Sequence, residues 1–155
     1  MTISPTITIN KSNSSDEDFI RLVRLLDADL ALRDGDDHAF FAQFNKIGAI
    51  QHVIVLYVDG LAVACGAIKQ YAPEIMEIKR MYVLPEYRGK GYASMVLAAL
   101  EKWAEELQYH KCILETGEKQ PEAIRLYHKN NYRVIPNYGQ YVDVKTSVCF
   151  EKILT

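Results

Sequence analysis

Arg88, Gly89, Lys90 and Gly91 stand in a row between a strand-like run, Met76 to Val83, and a helical pattern that opens near Ala93. Two cations and two glycines in that place can bind an anion. The first amides of a helix have no intrahelical acceptor, and the helix end carries roughly half a positive charge. Glycine lets the backbone take positive φ and come close to a ligand. Phosphate or pyrophosphate suits such a cradle, although two nearby glycines also make an ordinary turn. No stretch reads Gly-x-x-x-x-Gly-Lys-Ser/Thr, so a P-loop is absent. The dinucleotide fingerprint fails too, because Ser94 stands where its third glycine or alanine belongs. His38, His52, His110 and His128 show neither a metal spacing nor a paired nucleophile, and there is no Gly-x-Ser-x-Gly elbow.

The loop needs elements to hold it. From Ala93 to Leu107, Val96, Leu97, Leu100, Trp103, Ala104 and Leu107 fall on one helical face and Glu101, Lys102, Glu105 and Glu106 on the other. A strand, Lys111 to Glu115, follows at once. This is a βαβ unit whose loop opens at the carboxyl end of its first strand, where open sheets bind ligands. Upstream, Ile7-Thr8-Ile9 alternates like a strand, and Ser14-Ser15-Asp16-Glu17 reads as a helix start. The helix it opens runs to about Ala31 and buries Phe19, Leu22, Val23, Leu26 and Leu30. A short helix near Ala39 to Asn45 presents Phe40, Phe41 and Phe44. Asp59-Gly60 between His52–Tyr57 and Leu61–Cys65 signals a hairpin. Ser147 to Ile153 is a final strand. These elements predict an α/β fold with a mixed, mostly antiparallel sheet flanked by helices.

Composition fits one soluble enzyme domain over residues 1–155, a length that can bury a real core. A net charge of −2 argues against nucleic acid as partner. No apolar run approaches a membrane span, and Met1 to Thr6 lacks the regions of a signal peptide. Cys65, Cys112 and Cys149 are widely spaced in apolar runs, which predicts buried free thiols in a reducing cytoplasm and no metal site.

One phosphate-binding pattern remains, Arg/Gln-x-x-Gly-x-Gly/Ala, and Arg88-Gly89-Lys90-Gly91-Tyr92-Ala93 fits it throughout. After Val83-Leu84-Pro85-Glu86-Tyr87, it resembles the acetyl-CoA-binding motif of the GNAT N-acetyltransferase superfamily, in a small bacterial-type single-domain form. Gln120 to Tyr132 is similar to the family's later helix, usually Asn-x-x-Ala-x-x-x-Tyr-x-x-x-Gly-Phe. Ala123 and Tyr127 match, Gln120 replaces Asn, and Asn131-Tyr132 replaces Gly-Phe. Asn is the next best residue after Gly for a left-handed helix end. The resemblance is strong from Met76 to Val134 and implies the order β-α-α-β-β-β-α-β-α-β-β.

The same resemblance implies acetyl-CoA as co-substrate, no metal, and direct attack by an amine in a ternary complex. It implies cofactor contacts from Met81, Tyr82 and Val83 along the fourth strand, from Arg88, Gly89, Lys90, Gly91, Tyr92, Ala93 and Ser94 in the loop, and from Gln120 and Ala123. A backbone N–H near Met81 to Val83 would polarise the thioester carbonyl. Tyr127 would protonate the leaving thiolate; the other reading is a core aromatic. Glu77 would be the general base if partial burial raised its pKa; the other reading is a solvent-facing strand residue paired with Lys79 or Lys152. Simple alternation puts Glu77, Lys79 and Met81 on one face, with Ile78, Arg80 and Tyr82 on the other.

For the acceptor, the resemblance points to Arg33, Asp34, Phe40 and Phe41 on the first helices. It adds Glu115 and Thr116 at the end of the fifth strand, and Tyr138, Gln140 and Tyr141 in a late loop. That lining suits a small amine or an amino acid. A protein lysine or N-terminus stays open as acceptor, as does a silent acyl-CoA sensor. The protein is expected to be a monomer or a homodimer, without nucleic acid or membrane partners.

Overall fold

The structure, a computed structural model, describes residues 3–34 and 50–154. The short helix expected near Ala39 to Asn45, with Phe40, Phe41 and Phe44, lies outside the described residues. So do His38 and the side chain of Asp34. Seven strands form one sheet in the order β1-β2-β3-β4-β5-β7-β6. They are β1 (Ile7–Ser12), β2 (His52–Val58), β3 (Leu61–Ala72), β4 (Ile75–Val83), β5 (Lys111–Gly117), β6 (Arg133–Ile135) and β7 (Ser147–Ile153). The helices are α1 (Glu17–Asp34), α2 (Tyr92–Glu106) and α3 (Pro121–Lys129). Every neighbouring strand pair is antiparallel except β4 and β5, which run parallel.

Local chemistry explains the boundaries. Asp16 caps α1, its Oδ1 accepting the Phe19 N–H at 3.0 Å. Asp59 and Gly60, both at positive φ, turn β2 into β3 as the hairpin signal requires. Asn131 takes φ 70 just past α3, in the left-handed place where the later-helix motif usually has Gly. Strands with two buried faces split the core in two. Val53 and Val55 of β2 and Cys65 and Ala67 of β3 pack with Phe19, Leu22 and Val23 of α1. Ile54 and Leu56 point the other way, to Val96, Leu97 and Leu100 of α2. All three cysteines are buried within the sheet, and burial pushes their thiols up, Cys65 and Cys112 to about 12 and Cys149 to about 11. Among the described residues no helix is long and apolar enough to cross a membrane.

Two irregularities in β4 shape the site. First, β4 pairs with β5 only from Ile75–Lys111 to Glu77–Ile113; beyond that β5 pairs only with β7, and the sheet opens into a V. Second, β4 carries a bulge. Ala67 pairs with Lys79 but Cys65 pairs with Tyr82, and Arg80 sits at φ 60. The extra residue corrects the simple alternation. Glu77 and Lys79 share the α1 side with Tyr82, while Met81 joins Ile78 and Val83 on the α2 side. Gly66, opposite the bulge, makes room for this: a Cβ there would lie 2.5 Å from Met81 Sδ and 2.9 Å from Leu100 Cδ1.

Candidate functional site

The V between β4 and β5 holds a cleft of about 490 Å³ that reaches from the α2 N-terminus to α1. A short 3-10 turn, Pro85–Tyr87, leads from β4 into the glycine loop. Gly89 and Gly91 adopt φ 76 and φ 88 and line the cleft, and a Cβ on either would meet nothing within 4 Å. Only a residue without a side chain takes that backbone at little cost, and the space beside it stays open. Gly91 is the N-cap of α2 and supplies no side-chain cap, so the first-turn amides have no partner from it. Tyr92, Ala93 and Ser94 also line the cleft. Ser94 Oγ accepts a 3.0 Å hydrogen bond from Asn130, which also donates to the Leu126 carbonyl. The start of α2 is thereby tied to the end of α3.

Arg88 braces the junction. Its Nε donates to the Val83 carbonyl at 2.8 Å, and its guanidinium lies 5.4 Å from the centre of the Tyr82 ring. The N–H and C=O of one strand residue lie on the same edge. The Val83 N–H therefore points with its carbonyl, away from β3, and the Leu84 N–H takes the opposite edge to reach the Val63 carbonyl at 2.8 Å. Past Glu77 no described strand covers the gap edge of β4, so the Val83 N–H faces the cleft.

The far half of the cleft is acidic and aromatic. Glu77 is only 7% exposed, and Tyr138 donates its hydroxyl to Glu77 Oε2 at 2.5 Å. Lys79 Nζ lies 3.6 Å from Glu77 Oε1, the pairing foreseen for a strand residue, here below the surface. Burial, then the Glu77 charge, push the Tyr138 phenol well above its ordinary range, so it acts as a donor. Tyr71 of β3 and Tyr141 meet the Tyr138 ring edge-on, at 5.2 and 5.7 Å. Glu115 accepts a 2.6 Å hydrogen bond from Ser147. Tyr127, 6% exposed, packs on Tyr132 and Phe150 at 5.7 Å each. Burial, then the Glu115 charge, raise its phenol. Among the described residues no group of three or more His, Cys, Asp or Glu could hold a metal ion.

The cleft brings together most residues singled out from the sequence. Glu77, Met81, Tyr82 and Val83 reach it from β4, Arg88 from the loop, and Glu115 and Thr116 from β5. Gln120, Ala123, Tyr127 and Tyr141 complete its far wall. Four residues stand off it, among them Gln140, exposed on the late loop. Lys90 is exposed beside the loop. Arg33 is a brace, bridging Asp29 at 3.2 Å on its own helix and Glu122 on α3. Tyr138 lies behind Glu77 and holds it. Phe41 is outside the described residues. Sequence reading missed Leu26, Leu30 and Arg80, which also line the cleft. The two leucines share a helical face with true core residues, and only the bulge turns Arg80 toward α1.

The chain matches the model of the acetyltransferase (GNAT) family over residues 19–132. An IAA acetyltransferase of Azospirillum brasilense is 28% identical over 158 residues, covering 97% of this chain and 99% of its own. A crystal structure from Klebsiella pneumoniae subsp. pneumoniae, of a protein provisionally assigned as an acyl-CoA N-acyltransferase, shares 33% identity at a TM-score of 0.77. It covers 97% of this chain and 99% of its own. The fold also matches the Thermoplasma acidophilum PaiA N-acetyltransferase in complex with coenzyme A, at a TM-score of 0.71 and 18% identity over 96% of this chain and 99% of that one. With the family model spanning more than half its length and the V-shaped sheet to match, this chain belongs to the GNAT family of acetyltransferases.

Proposed function

We propose that the protein transfers the acetyl group of acetyl-CoA to the primary amine of a small molecule or amino acid, by direct attack in a ternary complex. The observation that carries this is the V between β4 and β5. Glu77, Glu115 and Tyr127, from three separate elements, meet there at one end of a cleft whose other end is the glycine loop.

The residues present fit the co-substrate. Open space beside two positive-φ glycines suits a pyrophosphate that must approach the backbone closely. Arg88 and the loop from Gly89 to Ser94, with exposed Lys90, would hold it. The uncovered edge from Met81 to Val83 suits the amides of a pantetheine arm, and Gln120 and Ala123 flank it from α3. Bound acetyl-CoA supplies an activated acyl carbon. The chain does the rest. Glu77 takes a proton from the incoming ammonium, and Tyr138 fixes the carboxylate that receives it. The Val83 amide donates to the carbonyl oxygen as charge gathers there. A new C–N bond replaces the C–S bond, Tyr127 gives its proton to the leaving sulfur, and the second proton shed by the nitrogen restores the phenol.

The acceptor end favours a small molecule over an extended peptide. The late loop, with its 3-10 turn Gly139–Tyr141, packs on Tyr71 through Tyr138 and sets Tyr141 in the cleft wall. A thiol-release screen with acetyl-CoA against amines, amino acids and peptides tests the reading. Release with small amines or amino acids is expected. Release with peptides alone moves the acceptor to protein, and none with any acceptor leaves a sensor.

A further inference from the structure

Arg80 of β4 lines the cleft but has no part in the reaction above. Its backbone sits at φ 60, in the left-handed region that a non-glycine residue takes only under constraint. Such strain is a pointer to function when the surroundings enforce it. Here they do, through the bulge opposite Gly66. Its side chain is 1% exposed and lines the cleft on the α1 side. One nitrogen, Nη2, meets Asp27 Oδ1 at 2.5 Å, and Asp27 is 51% exposed, free to be solvated. Arg80 Nε is buried and has no hydrogen-bond partner among the described residues. A buried donor left unmade is costly, and guanidinium groups are built to hold carboxylates through two nitrogens. Lys79, also largely buried, lines the same wall, and so do Leu26 and Leu30.

We propose that Arg80 is the receptor for a carboxylate on the acceptor, so that the acceptor is an amino acid with an apolar side chain and not a simple monoamine. This rests on the transferase reading above and narrows it. A zwitterion presents one charge of each sign a few bonds apart. Glu77 faces its ammonium, Arg80 Nε and the neighbouring Lys79 face its carboxylate, and Leu26 and Leu30 receive its side chain. A monoamine would leave the buried guanidinium donor unmatched.

Calorimetric titration of the protein without acetyl-CoA, using L-leucine, L-phenylalanine and their carboxamides, reads the carboxylate directly. The free acids are expected to bind at least about tenfold tighter than the amides. Arg80→Gln should bring the pairs to within about twofold, with Tm and circular dichroism confirming the fold. Asp27→Asn, which removes the competing anion, should tighten binding of the acids and leave the amides as they were. Equal binding of acid and amide by the wild type overturns the proposal, as does no binding of either. A folded Arg80→Gln protein that keeps the preference overturns it too. Should Arg80→Gln not fold, Asp27→Asn decides: unchanged acid affinity marks a purely structural ion pair. Acetylation of acids and amides at equal rates would sink the carboxylate site and leave the transferase reading standing. Acid-selective binding without thiol release would do the reverse.

Discussion

Burial suits Tyr127 to the acid role proposed for it. Its phenol is pushed upward first by loss of water and then by the Glu115 charge, so it stays protonated through the neutral range. It therefore always holds a proton to give, and in the same dry cleft a thiolate is costly and takes one readily. Tyr127→Phe removes only the hydroxyl and keeps the ring against Tyr132 and Phe150. Turnover should fall by roughly 10²-fold or more, while coenzyme A affinity and Tm stay close to wild type. A packing tyrosine would show lost Tm and retained turnover per folded molecule. Tyr127 and the glycine loop were legible in sequence because their spacing is local. The tie between Glu77 and Tyr138 was not, since it joins residues far apart in sequence across an unseen loop fold.

Gly91 and Gly66 both exclude side chains, for opposite reasons. At Gly91 the space is open but the backbone is left-handed; at Gly66 the neighbours leave no room. Gly91→Val should weaken coenzyme A binding at least tenfold, on the order of 1.4 kcal/mol. Gly60→Val is the control: it shares a positive φ and open surroundings but sits in the remote β2–β3 hairpin, so it should cost stability and spare binding. Gly66→Ala should destabilise by about 2 kcal/mol, read as a Tm lower by about 5 °C, because Met81, Leu100 and Val96 cannot all withdraw. Strands β1 to β5 and β7 and helices α1 and α2 were readable from local pattern, as was the hairpin at Asp59-Gly60, whereas α3 was visible only through the family resemblance. The bulge was not, and it misdirected the faces of β4. No residue of the run Met76 to Val83 announces it; it is set by Gly66 on the neighbouring strand and by α2 behind it.

Glu151 ties the far end of the sheet together. Its carboxylate, buried on β7, accepts from Arg133 Nε of β6 at 2.6 Å and pairs with Lys111 of β5 at 3.2 Å. The Arg133 hydrogen bond, acting against burial and helped by Lys111, holds it below the ordinary value of 4.5. A depressed folded pKa gives stability that is full above that value and is lost as pH falls through the folded pKa. Glu151→Gln should therefore lower Tm at pH 7, and its gap to wild type should shrink in melting curves at pH 4.5 and again at pH 3. A constant gap would assign the loss to packing alone.

The three cysteines have a practical consequence for anyone who measures this chemistry. Each is buried among apolar neighbours, with its thiol held at about 11 or 12, so almost none is in the reactive, ionised form. A disulfide dye added to a running reaction should colour with coenzyme A as it is released and leave the folded polypeptide untouched. Any slow colour from the protein alone would then count molecules that have opened, turning the assay blank into a gauge of unfolding.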